Sequence, residues 1–152
     1  MKINYKLLIT IIVLTFLIGN LFSITIVKNM AIYESLNKPF DIPGIIFPIV
    51  WTILYLLMSV SLYRVLTLNN INLESSLVVY IINMIFNSLW TLIYFGLNKY
   101  LFAFIWLVLL VLITIVMIVN FYKKDKLSGL LLIPYLIWLV FAAYLNYSIY
   151  LL

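Results

Sequence analysis

The chain has 152 residues, of which 68% are hydrophobic and 9% charged, with a formal net charge of +5 and a mean hydropathy of +1.28. Soluble domains carry about 25% charged residues, so the composition is that of an integral membrane protein. The absence of cysteine and histidine removes structural zinc, the commonest haem ligands, disulfides and the Ser-His-Asp and Cys-His catalytic arrangements, and the basic residues lie between apolar runs rather than on a soluble basic face suited to nucleic acid.

The charged residues divide the chain into apolar stretches near 7–27, 44–66, 77–97, 101–122 and 127–150. Each approaches the ~20 residues that cross ~30 Å of hydrocarbon as a helix. Period-2 alternation is absent and the runs are about twice the length of a barrel strand, so helices are expected. The predicted fold class is all-α: a single domain over 1–152 forming an integral membrane five-transmembrane-helix bundle.

Lys2 and Lys6 precede the first stretch in the manner of a signal peptide. The apolar run is longer than a usual signal core and no small-x-small pattern ends it, so an uncleaved first helix is expected. The loop that follows, "KNMAIYESLNKPFDIP", is stiffened by Pro39 and Pro43, and residues 31–36 can form one or two helical turns. It reads as a shaped lid or, alternatively, as a solvated connector. In the second span Pro48, Trp51, Tyr55 and Ser59 fall at steps of three, four and four, hence on one helical face. The second connection, "TLNNINLESS", reads as a polar turn with capping potential. The third span aligns Asn83, Asn87, Trp90 and Tyr94, and the fifth aligns Tyr135, Trp138, Ala142 and Asn146.

Amide groups in hydrocarbon cost several kcal/mol unless they find partners, so these three stripes are expected to face one another. A plainer reading has Asn and Ser bonding helices together and Trp and Tyr forming interfacial belts. That suits Tyr5, Tyr100, Tyr122 and Tyr150, near span ends, better than Trp51, Asn87 and Trp138, which lie deeper. An interior of indoles, phenols and carboxamides without charge suits a flat, largely apolar small molecule with a few polar atoms. It suits ions poorly, because ion and proton paths generally need charged or titratable groups within the membrane. No internal repeat supports an inverted-repeat transporter.

Basic residues set the expected orientation. Lys2, Lys6, Arg64, Lys123, Lys124 and Lys126 lie on one side, against Lys28, Lys38 and Lys99 on the other. The positive-inside rule then puts the amino terminus in the cytoplasm, and the first loop and carboxyl terminus outside, of what is expected to be the cell membrane.

The segments "KPFDIPGIIFPIVWTILYLLMSVSLYRV", "NMIFNSLWTLIYFGL" and "LLLIPYLIWLVFAAYLNYSIYLL" resemble the tryptophan-rich sensory protein and translocator protein family (TspO/MBR) over nearly the whole chain. The resemblance implies a compact five-helix bundle, often a homodimer in the lipid bilayer. It needs no cofactor and binds tetrapyrroles such as protoporphyrin or haem, or other flat amphiphiles, in a pocket beneath the first loop. Carried over by motif position, Tyr33, Pro43, Trp51, Tyr55, Asn83, Asn87, Trp138, Ala142 and Asn146 would line it. No firm catalytic residue is implied, although light-dependent porphyrin degradation in some members would make Trp51 and Trp138 the candidates.

The chain also departs from the family pattern. The tryptophan of the first-loop K-P-x-W is missing from "KPFDIPG", along with one of the usual paired prolines. Asp41 would repel a porphyrin carboxylate whereas Lys38 would attract one. Leu145 and Tyr147 begin a sterol-type motif that no Lys or Arg completes. The readings are therefore a tetrapyrrole receptor or sensor, a photodegrader, a transporter of tetrapyrroles or amphiphiles, and a membrane scaffold whose stripes are only packing.

Overall fold

A computed structural model describes residues 2–68 and 73–152. The centre of the second connection, 69–72, where the polar turn was expected, lies outside the described residues. Those described form helices and connections, with no strand among them.

Helix α1, Tyr5–Gly19, starts where the Asn4 side chain accepts the Leu7 N–H at 3.1 Å. The first apolar stretch does not continue as one rod. It breaks at 20–22 and resumes as α2, Ser23–Ser35, bent by 43°. The cause lies in Gly19 and Asn20, both poor helix residues. The Asn20 side chain donates back to the Phe16 carbonyl at 3.0 Å, competing with the main-chain ladder. Gly19 is required for a second reason, since a Cβ there would lie 2.4 Å from Cζ of Tyr55. The helical turn expected within 31–36 is thus the end of a longer helix.

Helix α3, Ile46–Leu68, is the second span. Helix α4, Leu73–Thr91, passes into a π-helical turn, Leu92–Gly96, capped by Leu97 and followed by Asn98 in left-handed backbone with φ 54°. Helix α5 spans Tyr100–Lys124. The last stretch is divided into α6, Lys126–Leu131, and α7, Ile133–Leu151. Pro134 explains this division: it lacks an N–H, and its ring excludes the carbonyl four residues earlier.

Helices α3, α4 with its π turn, α5, and α6 with α7 are each long and apolar enough to cross a membrane, and α1 with α2 counts as a fifth span if the bent pair crosses as one. Helix α5 lies against α4, α6 and α7, while α1 packs on α3 and α4. Met58, Met84, Leu107, Met117, Phe121 and Leu139 form the buried centre. Outward-facing aliphatics such as Ile105, Leu112 and Val116 remain exposed, as a bilayer surface demands.

At one end α3 is clasped to α6. Arg64 Nε and Nη2 meet Asp125 Oδ2 and Oδ1 at 2.9 and 3.3 Å. The same carboxylate caps α6, accepting from the main-chain N–H of Ser128 at 3.1 Å and from its hydroxyl at 2.5 Å. Hydrogen bonding from Arg64 comes first among the causes that hold the Asp125 carboxyl below the usual range.

Candidate functional site

Between the α2 arm, α3, the end of α4 and α7 lies a cavity of about 370 Å³. Helix α5 lines none of it and instead braces α4 and α7 from behind. The cavity wall contains no charged side chain.

The helical stripes build three of its sides. From α3 come Pro48, Trp51 and Tyr55, from α4 and its π turn Asn87, Trp90 and Tyr94, and from α7 Trp138, Ala142 and Asn146. Trp51 lies 5.4 Å from Tyr55 between ring centroids, and Trp138 lies 6.0 Å from Phe47 and 5.4 Å from Phe141. Such offset and edge-on contacts fix ring orientation beyond what burial alone provides. The fourth side is α2, with Ser23, Ile26, Val27, Met30 and Tyr33. This helix is tethered by Asn29, whose Nδ2 donates to the Phe95 carbonyl at 2.7 Å, and by Tyr33, whose ring lies 5.8 Å from that of Phe95.

Of the residues carried over by resemblance, Tyr33, Trp51, Tyr55, Asn87, Trp138, Ala142 and Asn146 border this cavity. Two do not. Pro43 borders a second hollow of about 310 Å³ within the first loop, beside Glu34, Lys38 and Asp41. Asn83 lies one turn beyond Asn87 and is fully buried, donating to Thr114 Oγ1 at 2.8 Å. The expectation that Tyr135 shares the wall with Trp138 also needs correction. Its side chain is buried beneath the cavity, where its hydroxyl meets Asn83 and Asn87. Ser59 is likewise internal and bonds to the Tyr55 carbonyl at 2.7 Å.

The polar groups of the wall differ in what remains free. Trp90 Nε1 donates to Asn146 Oδ1 at 3.2 Å, and Asn146 Nδ2 donates to the Tyr100 carbonyl at 2.9 Å. Asn146 therefore holds the Trp90 indole in place. The N–H groups of Trp51 and Trp138 make no hydrogen bond with the described residues, although both rings are half-buried at the wall. Lys38, expected to attract a carboxylate, instead directs Nζ at the carbonyls of Tyr33 and Glu34, at 3.0 and 3.3 Å, and lies over the Tyr33 ring. It closes the carboxyl end of α2.

Sequence reasoning placed Tyr33 of the α2 wall but missed Ser23, Ile26, Val27 and Met30, together with Phe47, Phe95 and Phe141. Phe47 stands four residues before Trp51 and Phe141 three after Trp138, so the helical period carried a signal for both. The inward tilt of α2 followed from the break at 20–22, for which Gly19 and Asn20 were the available sign.

The TspO/MBR family model matches residues 9–152. Protein CrtK of Rhodobacter capsulatus is 40% identical over 121 residues, covering 78% of this chain and 76% of that protein. The tryptophan-rich sensory protein of Cereibacter sphaeroides is 35% identical over 117 residues, covering 76% and 73%. The tryptophan-rich protein TspO of Chlorobaculum tepidum is 35% identical over 122 residues, covering 77% and 76%.

Proposed function

The chain belongs to the TspO/MBR family, and from that premise we propose that it is a membrane receptor or sensor binding a tetrapyrrole such as protoporphyrin or haem in the uncharged aromatic cavity. One observation carries the reading. A cavity of about 370 Å³ with no charged side chain among the described residues keeps two indole N–H donors, on Trp51 and Trp138, without a partner among those residues. Aromatic faces can cover a flat apolar ring system while those donors meet acceptors at its edge. The excess of basic residues on the side of the amino terminus supports a cytoplasmic amino terminus, with the α2 arm and the first loop towards the outer face of the cell membrane.

A second reading is favoured by the same two indoles. Illumination of a bound porphyrin would allow Trp51 or Trp138 to pass one electron to the excited ring, and the resulting tryptophan cation radical and porphyrin anion radical can then couple into a covalent adduct, removing the porphyrin absorbance. No general base or nucleophile enters this scheme, consistent with a chain that has no His or Cys.

The test is titration of the purified protein with protoporphyrin in the dark, following tryptophan fluorescence, and then illumination with absorbance recorded. Saturable quenching that weakens in Trp138→Phe supports the receptor reading. Loss of porphyrin absorbance on illumination that disappears in Trp51→Phe or Trp138→Phe, with dark binding retained, favours the photochemical one. Quenching that never saturates overturns both.

A further inference from the structure

Beneath the cavity a chain of hydrogen bonds runs from the main chain of α5 to the α4 wall, and its direction is fixed at one end. The Leu110 carbonyl can only accept, and Thr114 Oγ1 donates its single proton to it at 2.8 Å. Thr114 must therefore accept from its other partner, Nδ2 of Asn83, at 2.8 Å. That orients the Asn83 carboxamide and leaves Oδ1 to receive the Tyr135 hydroxyl proton at 2.8 Å. Tyr135, having donated, accepts from Asn87 Nδ2 at 3.0 Å. Every group in the relay is buried: Asn83 and Tyr135 are 0% exposed and Asn87 only 2%.

The last carboxamide consequently cannot turn over without breaking the relay. Asn87 Oδ1 accepts no hydrogen bond from the described residues, yet no enclosed side-chain polar atom among them is without a partner. The oxygen is therefore accessible, and Asn87 borders the cavity. One turn further along, Thr91 also borders the cavity. Thr10, Thr52, Thr67 and Thr114 each return a hydroxyl proton to the carbonyl four residues earlier. The Thr91 hydroxyl, where α4 passes into the π turn, makes no such bond.

We infer that the α4 wall, through Asn87 Oδ1 with the Thr91 hydroxyl beside it, is an acceptor subsite that selects flat ligands carrying an N–H or O–H donor, and that Asn83, Tyr135 and Thr114 are positioning residues setting its polarity. The inference rests on the reading of the cavity as a ligand site and adds a requirement to it. The Trp51 and Trp138 indoles ask the ligand for acceptors, while the α4 wall asks for a donor on another edge, which a tetrapyrrole meets through a protonated propionic acid or, in an open-chain form, a lactam N–H, and which haem or protoporphyrin with both propionates ionised does not meet. A ligand bearing only acceptors leaves Asn87 Oδ1 desolvated and unmatched, which is how a buried polar group discriminates between ligands of equal shape.

The test uses three flat tricyclic probes of nearly equal size: carbazole with an N–H donor, dibenzofuran with an oxygen at that position, and fluorene with a methylene. Each is titrated calorimetrically into the full-length protein in detergent. Carbazole is expected to bind about fivefold to tenfold tighter than fluorene, the range of one net hydrogen bond, with dibenzofuran no better than fluorene. In Asn87→Leu the three affinities should converge. Tyr135→Phe and Thr114→Val keep the cavity wall but release the relay, and the carbazole preference should shrink in both. If Asn87→Leu fails to fold, those two variants decide. Equal binding of the three probes by the native protein overturns the acceptor subsite and leaves the cavity as a ligand site. Saturable binding of none of them overturns the acceptor subsite, while the protoporphyrin titration alone decides the reading of the cavity.

Discussion

The Trp90 indole and the Asn146 carboxamide form a pair that fixes one aromatic face of the cavity. Trp90 Nε1 has Asn146 Oδ1 as its partner, and Asn146 in turn holds the Tyr100 carbonyl. In Asn146→Leu both partners lose their bonds, and the variant is expected to unfold about 1–3 kcal/mol more easily than the native protein, the cost of orphaned buried polar groups. Denaturant unfolding in detergent measures this, and unchanged stability would show that Asn146 bears no such load. The stripe containing Asn146 was legible in the sequence because neutral polar side chains at helical spacing inside a lipid-spanning segment need one another. Their pairing was not legible. Tyr135 and Trp138 share a helical face in the sequence, yet one lies in a buried relay and the other at the cavity wall, a distinction set by the depth of neighbouring helices. Asn83 fell outside the wall for the same reason, since motif position gives order along the chain but not depth across the bundle, whereas Pro43 belongs to the first loop and borders the hollow there.

Hydropathy reports the length of an apolar run and says little about its continuity, so the apolar spans were legible in approximate extent but not in their division into helices. The break between α1 and α2 rests on two residues, Gly19 and Asn20, that hardly lower the mean hydropathy of the stretch. The π turn at Leu92–Gly96 leaves no mark in composition, since the same apolar residues serve an α-helical or a π-helical turn. Pro134, inside the stretch read as one span over 127–150, separates α6 from α7. The clasp between α3 and α6 carries a pH dependence of definite sign. The folded state lowers the Asp125 carboxyl, chiefly through hydrogen bonding from Arg64, so the unfolded chain binds its proton first as pH falls. The contribution is complete above the unfolded carboxylate range near ~4 and is lost as pH drops through the lower folded value. The melting temperature in detergent should therefore hold between neutrality and about pH 5 and decline below about pH 4, with a smaller decline in Asp125→Asn. An identical acid decline in both proteins would remove this role from the clasp.

The whole molecule is a helical bundle in which α5 braces α4 and α7 from behind while the α2 arm forms the remaining side of an aromatic cavity. Its orientation can be read directly because the chain has no cysteine. On intact cells an impermeant maleimide should label Asp41→Cys in the first loop and spare Lys126→Cys until the membrane is opened, and the reverse pattern would invert the topology. The central claim is that a tetrapyrrole occupies this cavity, and filling the cavity tests it most directly. Ala142 is half-buried at the wall, between the levels of Trp138 and Asn146. The decisive measurement is the dissociation constant of protoporphyrin, from tryptophan quenching in the dark, for the native protein and for Ala142→Phe, with folding checked by circular dichroism. The account predicts saturable binding by the native protein and a loss of affinity of at least about tenfold in the folded variant, since a phenyl ring would overfill the space. Equal affinity in the two proteins would place the porphyrin elsewhere and contradict the account.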